Sequence, residues 1–299
     1  MAEITTRDGS WTFDGEILRI VPGHDRSVHK LRRAMGEIAV PLRAVAGVAF
    51  EPGRKGGRLR LRLRPGADPF TQAVGGGLPP EADPYRLAVG RDRVGVAEFL
   101  VDDVRNSLIV WEVPDGPCDR YLMPGPPVPI SATAGDGTAT FDGARIRLEW
   151  NWMAEEAKTK AGPREFALGD VAGVEWSRQS GMGYGFLRFR LRGASAQHAA
   201  ENDPNGLAWG IQREGGTTAL LAAAVVARLP HPFAPAEEKP SLEKPAPETP
   251  ALAAAAGAAD PDVLLRRLRE LGELHRDGVL TDEEFATAKT AMLDRFRTG

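Results

Sequence analysis

One cysteine, Cys118, stands in a chain of 299 residues, so no intramolecular disulfide and no cysteine-based zinc site can form. Long apolar runs are missing too. The alanine- and leucine-rich stretch 220–229 is too short to span a bilayer. Residues 1–8 carry no apolar core behind a basic start, so no secretory signal is expected and a soluble cytoplasmic protein is the default. Neither sign of charge dominates. The net charge is −3, which gives no overall pull toward nucleic acid or an acidic membrane, so such binding would need a local patch. The five histidines, at 24, 29, 198, 231 and 275, lack metal-ligand spacing, and no Gly-x-Ser-x-Gly signature occurs. No catalytic residue, metal or cofactor is therefore assigned.

What is present is a repetition. Thr12-Phe13-Asp14-Gly15 returns as Thr140-Phe141-Asp142-Gly143, and Val45-Ala46-Gly47-Val48 as Val171-Ala172-Gly173-Val174. The alternating Leu59-Arg60-Leu61-Arg62-Leu63-Arg64 returns as Leu187-Arg188-Phe189-Arg190-Leu191-Arg192, and Asp83-Pro84 as Asp203-Pro204. The offset is 128 residues at the first and third anchors, 126 at the second and 120 at the last. Four anchors in one order mean a duplicated domain.

Each copy reads as short strands closed by one helix. The strict alternation of 59–64 is the period-two signature of a half-buried strand. After Gly95 the period changes: Val96, Phe99, Leu100, Val104 and Leu108 fall at helical spacing, and 217–229 repeats this with alanines that favour helix. The expected fold is mainly β with terminal helices. The Phe-Asp-Gly opening, the Val-Ala-Gly-Val segment, the Leu-Arg strand and the closing helix together resemble an actinobacterial family of uncharacterised, commonly tandem domains with a pleckstrin-homology-like (PH-like) fold. That resemblance implies two tandem antiparallel barrels or sandwiches, each capped by one helix. Repeat 1 spans 8–112 and repeat 2 spans 138–230, with a Pro/Gly-rich linker at 113–137.

From 231 to 261 the chain turns to Pro, Ala, Glu and Lys, a composition unable to bury enough surface to offset chain entropy, and reads as a disordered tether. Residues 262–297 then read as a helical hairpin. Leu264, Leu268 and Leu271 form one stripe and Phe285, Met292 and Phe296 a second. Thr281 with Glu284 three residues on makes a capping box. Gly278-Val279-Leu280-Thr281, Glu283-Glu284-Phe285 and Lys289 resemble the short C-terminal domain called SHOCT. About 36 residues without metal or disulfide cannot sustain their own core, so these six apolar residues are the candidates for self-association or docking on a protein partner.

Two sets of cations are candidate ligand contacts. Arg60, Arg62 and Arg64, and in the second copy Arg188, Arg190 and Arg192, project from one face of their strands. They could hold phosphates or an acidic partner, or serve as a solvated face that opposes aggregation. Between the first two strands of repeat 1 lie Arg26, Lys30, Arg32 and Arg33, with His24 and His29. The PH-like resemblance makes this basic loop the place for an anionic ligand or lipid headgroup. The matching segment of repeat 2 mixes Lys158, Lys160 and Arg164 with glutamates. Trp150 and Trp152 fall on one face by alternation, as core, as a seam between repeats or as a partner patch. Gly181-Met182-Gly183-Tyr184-Gly185 lacks the following helix of a phosphate loop and reads as a hairpin turn, and Gly75-Gly76-Gly77 as a flexible loop.

The expectation is a binding or scaffolding protein without enzymatic activity or nucleic-acid partner. The alternatives are a peripheral membrane sensor using the basic loop, and an enzyme accessory protein with a pocket between the repeats.

Overall fold

The computed structural model describes residues 1–193, 198–210 and 215–234. The chain divides into two compact units, Met1–Glu237 and Glu238–Gly299. Leu264, Leu268, Leu271, Phe285, Met292 and Phe296 lie outside the described residues, as does most of the expected tether.

Unit 1 is mainly β, with four small antiparallel sheets. Strands β1 (Ala2–Thr6), β2 (Gly9–Phe13), β3 (Ile17–Pro22) and β4 (Ile38–Pro41) form a meander, with the six-residue helix α1 (Lys30–Met35) between the last two. A second sheet holds β5 (Val45–Gly53), β6 (Gly56–Leu63) and β7 (Arg86–Gly90), with α2 (Pro69–Val74) inside its last connection, and α3 (Val94–Val110) follows. The second copy repeats this order, without a counterpart of α2 among the described residues, in β8 (Ile130–Ala134), β9 (Gly137–Phe141), β10 (Arg145–Trp150), α4 (Glu156–Ala161), β11 (Arg164–Ala167), β12 (Val171–Ser177), β13 (Gly185–Leu191), β14 (Gly206–Trp209) and α5 (Thr218–Val226). The two closing helices are those expected from apolar spacing.

The repeated anchors turn out to be turn and bulge devices. Asp14 Oδ1 accepts from the N–H groups of Glu16 and Ile17 at 3.0 and 2.8 Å, and Asp142 Oδ1 from Ala144 and Arg145 at 2.7 Å each. The glycine after each aspartate has φ of 103° or 109°, open to glycine and strained for other residues. In the Val-Ala-Gly-Val segments the register slips by one residue, between Val45 and Gly47 and again between Val171 and Gly173, a β-bulge that bends the strand. The bulge glycine also makes room for an arginine. A Cβ on Gly173 would stand 2.7 Å from Arg190 Nη2. Asp83 and Asp203 each accept from the N–H two residues on, at 3.0 and 2.9 Å, ahead of the last strand.

Several boundaries move. β1 begins at Ala2, before the expected start at 8, and β8 lies inside the stretch 113–137 read as linker. Small and polar residues in both strands hide their alternation. The rest of that linker is packed in place: Cys118 and Met123 are buried, and the Leu122 and Met123 N–H groups both donate to Ala67 O. Burial pushes the Cys118 thiol up, as fits a structural cysteine. His231, the first residue of the expected tether, lies 2.8 Å from Gly66 O through Nε2 and stacks edge-on against Tyr121. The glycine run 75–77 ends helix α2, with Gly75 left-handed at φ 54°.

The cores differ in how their closing helices are covered. Helix α3 buries one face, Ala97, Leu100, Val101 and Val104, on the sheets of repeat 1, and leaves Phe99, Ile109 and Val110 exposed. All nine residues of α5 are buried. It packs on β8, β9 and β12 of its own repeat and on α2 of repeat 1, which accounts for a sequence apolar on every side.

Candidate functional site

The first feature built from both sheets of a repeat is a buried ion pair, and it occurs twice. Asp8, in the β1–β2 turn, receives Arg32 Nη1 at 2.8 Å from α1 and the Ala88 N–H of β7 at 2.9 Å. Arg32 Nη2 also reaches Arg86 O at 3.3 Å. In the second copy Asp136 receives Lys158 Nζ at 2.5 Å and the Ala208 N–H at 2.9 Å, while Lys158 also donates to Gly206 O at 2.9 Å. Lys158 is fully enclosed and sits over the Trp150 ring at 5.1 Å. Burial pulls its ammonium below the ordinary lysine value, against Asp136, Asp203 and Glu201, which push it up. These pairs lock the short helix and the first sheet onto the last strand of the second sheet.

Arg32 is therefore not a ligand contact. It is buried and spent on the fold, whereas Arg26, Lys30 and Arg33 of the same segment are exposed. That segment also lies between β3 and β4, because β1 precedes the strands foreseen in the sequence.

Beside each ion pair the first turn of the copy, the loop before the short helix and the end of the last strand frame a cleft, joined in repeat 2 by the β12–β13 turn. In repeat 1 it measures about 730 Å3 and is lined by Arg7, Ser27, Asp92 and Arg93 among others. Arg26, Arg54, Lys55 and Arg91 are exposed nearby, and Arg91 donates through Nε to Arg54 O at 3.0 Å. The Ser27 N–H, then the Ser27 hydroxyl, and to a lesser extent Arg7, hold the Asp25 carboxyl low. This mouth is basic. In repeat 2 the equivalent cleft measures about 390 Å3 and is lined by Met153, Glu155, Met182, Tyr184, Glu201 and Trp209. Met182 is 90% exposed, Tyr184 45%, and Trp152, beside Met153, 90%. This mouth is apolar and acidic. The indoles of Trp150 and Trp152 do not share a face: β10 ends at Trp150, whose Nε1 donates to Gly162 O at 2.8 Å, and Trp152 sits in the following turn.

The two arginine rows are largely tied down. Arg64 donates to the backbone carbonyls of Gly116, Arg43 and Pro117 at 2.8, 2.9 and 3.4 Å. Arg60 pairs with Glu51 at 3.7 Å. Arg62 lies across Gly47, where a Cβ would stand 3.7 Å from its Nη2. In the second copy Arg188 pairs with Asp203 at 2.6 Å and Glu175 at 3.5 Å, Arg190 with Glu175 at 3.3 Å, and Arg192 donates to Gly169 O at 3.0 Å. Arg60, Arg62 and Arg64 do line one cleft of about 380 Å3 together with Gln72 and Arg86.

A further cleft, about 470 Å3, opens where the repeats meet, between Ile38, Phe70, Met123 and Leu220, with Asp68 and Tyr85 at its wall. Asp68 caps α2, accepting from the N–H groups of Phe70 and Thr71 at 3.0 Å and from the Tyr85 hydroxyl at 2.8 Å. Burial raises the carboxyl, opposed by those donors. All its acceptor bonds serve the fold. Among the described residues no His, Cys, Asp and Glu cluster has the makings of a metal site, and no helix is long and apolar enough to cross a membrane.

No curated protein matches the chain. Residues 266–293 match the family model described as the Short C-terminal domain, SHOCT. A second model, described as a domain of unknown function, DUF4429, matches residues 11–105 and 139–226. Those segments make up most of the two copies that fold alike, and hold the cations Arg32 and Lys158 but not their acids; the chain belongs to the DUF4429 family.

Proposed function

We propose that this chain is a non-enzymatic binding and scaffolding protein whose two repeats are PH-like modules, working in the cytoplasm, with the mouth of repeat 2 as its protein-binding site. The observation that carries this reading is the exposure of Met182 and Tyr184 on a cleft that Met153 and Trp209 also line, with the exposed Trp152 next in sequence to Met153. Large apolar side chains held open to water at one place mark interaction surfaces, and aromatic anchors in pockets dominate binding energy. Seven strands in two antiparallel sheets followed by a helix support the PH-like assignment. Residues 262–297 act as an additional docking or self-association element.

A pull-down with three proteins tests it: the full chain, a Trp152→Ser/Met182→Asp variant, and a chain ending at 261. Loss of the same captured protein from the double variant is the expected result. A set of captured proteins unchanged by either alteration overturns the reading.

A second reading concerns the mouth of repeat 1. Its exposed Arg7, Arg26, Arg54, Lys55 and Arg93 suit an anionic ligand or lipid headgroup. Co-sedimentation with vesicles containing anionic lipid should then fall steeply with salt and be lost in an Arg26→Glu/Arg93→Glu variant. Binding that ignores both would end this reading.

A further inference from the structure

The two mouths descend from one duplicated cleft, yet their chemistry has become complementary. Position by position, Arg7 of the basic mouth corresponds to Gly135, Ser27 to Met153, His29 to Glu155, and the Arg54-Lys55 turn to the loop carrying Met182 and Tyr184. One rim carries an excess of cations, Arg7, Arg26, Arg54, Lys55, Arg91 and Arg93, over Asp25 and Asp92, the latter 3.5 Å from Arg93. The other offers thioether, indole and phenol faces flanked by Glu155 and Glu201. Guanidinium planes stack on aromatic faces and pair with carboxylates, and opposite potentials meeting across an interface fix register and suppress wrong partners.

We infer that the occupant of the repeat 2 mouth is the basic mouth of repeat 1 on a second copy of this chain. This deepens the preceding reading, on which it rests, by naming the partner of that site. The contact is heterologous, head to tail, and each copy keeps one unused face of each kind, so assembly continues beyond a dimer unless the ring closes.

Three full-length proteins decide it. The head variant carries Arg26→Glu/Arg93→Glu; the tail variant carries Trp152→Ser/Met182→Glu. All four positions are solvent-exposed, so thermal midpoints should stay at the wild-type value. By sedimentation at about 50 mM salt, wild type should exceed the mass of either variant, each losing about tenfold or more in association constant. Raising salt to about 500 mM should weaken wild type in the same way. An equimolar mixture of head and tail variants should recover association and stop at 1:1 pairs, since each copy supplies the face the other lacks. Masses insensitive to both variants, including any assembly held by 262–297, overturn the inference, as does a mixture no larger than its components.

A photoreactive benzophenone placed at Tyr184 separates this inference from the reading beneath it. Irradiated in cell extract with isotopically light and heavy chains both present, it should give adducts that join 184 of one copy to the 24–30 or 54–55 segment of another. Adducts to a different protein overturn the second copy as occupant and leave the binding site standing. No adduct to any protein brings both down.

Discussion

In repeat 1 the acid of the first turn is answered by an arginine that still touches solvent through its partner: the Asp8 side chain is 26% exposed. In repeat 2 the same acid is answered by a lysine sealed at 0%, under a tryptophan. Both pairs bind the same two backbone partners on the last strand. A few ångströms outward, the likeness ends: arginines ring one cleft, and methionine, tyrosine and glutamate the other. The duplication has kept the lock and let the surface around it diverge. Buried charge cannot drift, since removing either partner strands the other, whereas an exposed rim position changes at little cost to stability.

The largest effect should come from the sealed pair. Asp136→Ala leaves Lys158 enclosed without a counter-charge and should cost about 3–5 kcal/mol, while Asp8→Ala, beside water, should cost about 1–3 kcal/mol. Chemical denaturation of both variants measures this, and equal losses would break the comparison. Next come the closing helices. Leu221→Ala, inside fully enclosed α5, should cost about 2–5 kcal/mol. Phe99→Ala on α3, 62% exposed, should stay within about 0.5 kcal/mol.

A pH scan sharpens the contrast between the two cations. Burial lowers the folded-state Lys158 value below 10.5, so between that lowered value and 10.5 the unfolded chain holds more protons than the folded one. Stability therefore rises with pH through this window. The half-buried Tyr121 phenol, pushed up to about 12, acts in the opposite sense above its ordinary value of 10.0. Comparing wild type with Lys158→Arg isolates the lysine: the rise should be present in wild type and absent in the variant. The smallest effect belongs to the rims, where Arg26→Glu and Met182→Asp should each shift stability by no more than about 0.5 kcal/mol.

Much of the fold was legible because turns and bulges are written locally. Phe-Asp-Gly encodes an aspartate-capped turn and Val-Ala-Gly-Val a bulge, and each needs only adjacent residues. The closing helices were legible from spacing. β1 and β8 were not, since Ala2-Glu3-Ile4-Thr5-Thr6 and Ile130-Ser131-Ala132-Thr133-Ala134 carry few large apolar residues. α2 escaped notice although Asp68-Pro69 at its start and Gly75 past its end are a start-and-stop signature. The ion pairs were hidden by distance, Asp8 and Arg32 being 24 residues apart. The repeat offsets would have exposed them: Asp8 maps onto Asp136 and Arg32 onto Lys158 at the same shifts of 128 and 126 as the anchors. Reading Arg32 as part of a basic loop counted charges without asking which of them the duplication preserves.

Helix α5 carries a consequence for how the protein comes into being. Its outer side is closed by α2, an element of repeat 1, so repeat 2 cannot finish its own core alone. During synthesis the N-terminal half emerges first and can fold as a unit; it then serves as the template on which the last helix of the second half comes to rest. Severing the copies should leave repeat 2 aggregation-prone, with the side of α5 that α2 covers opened to water.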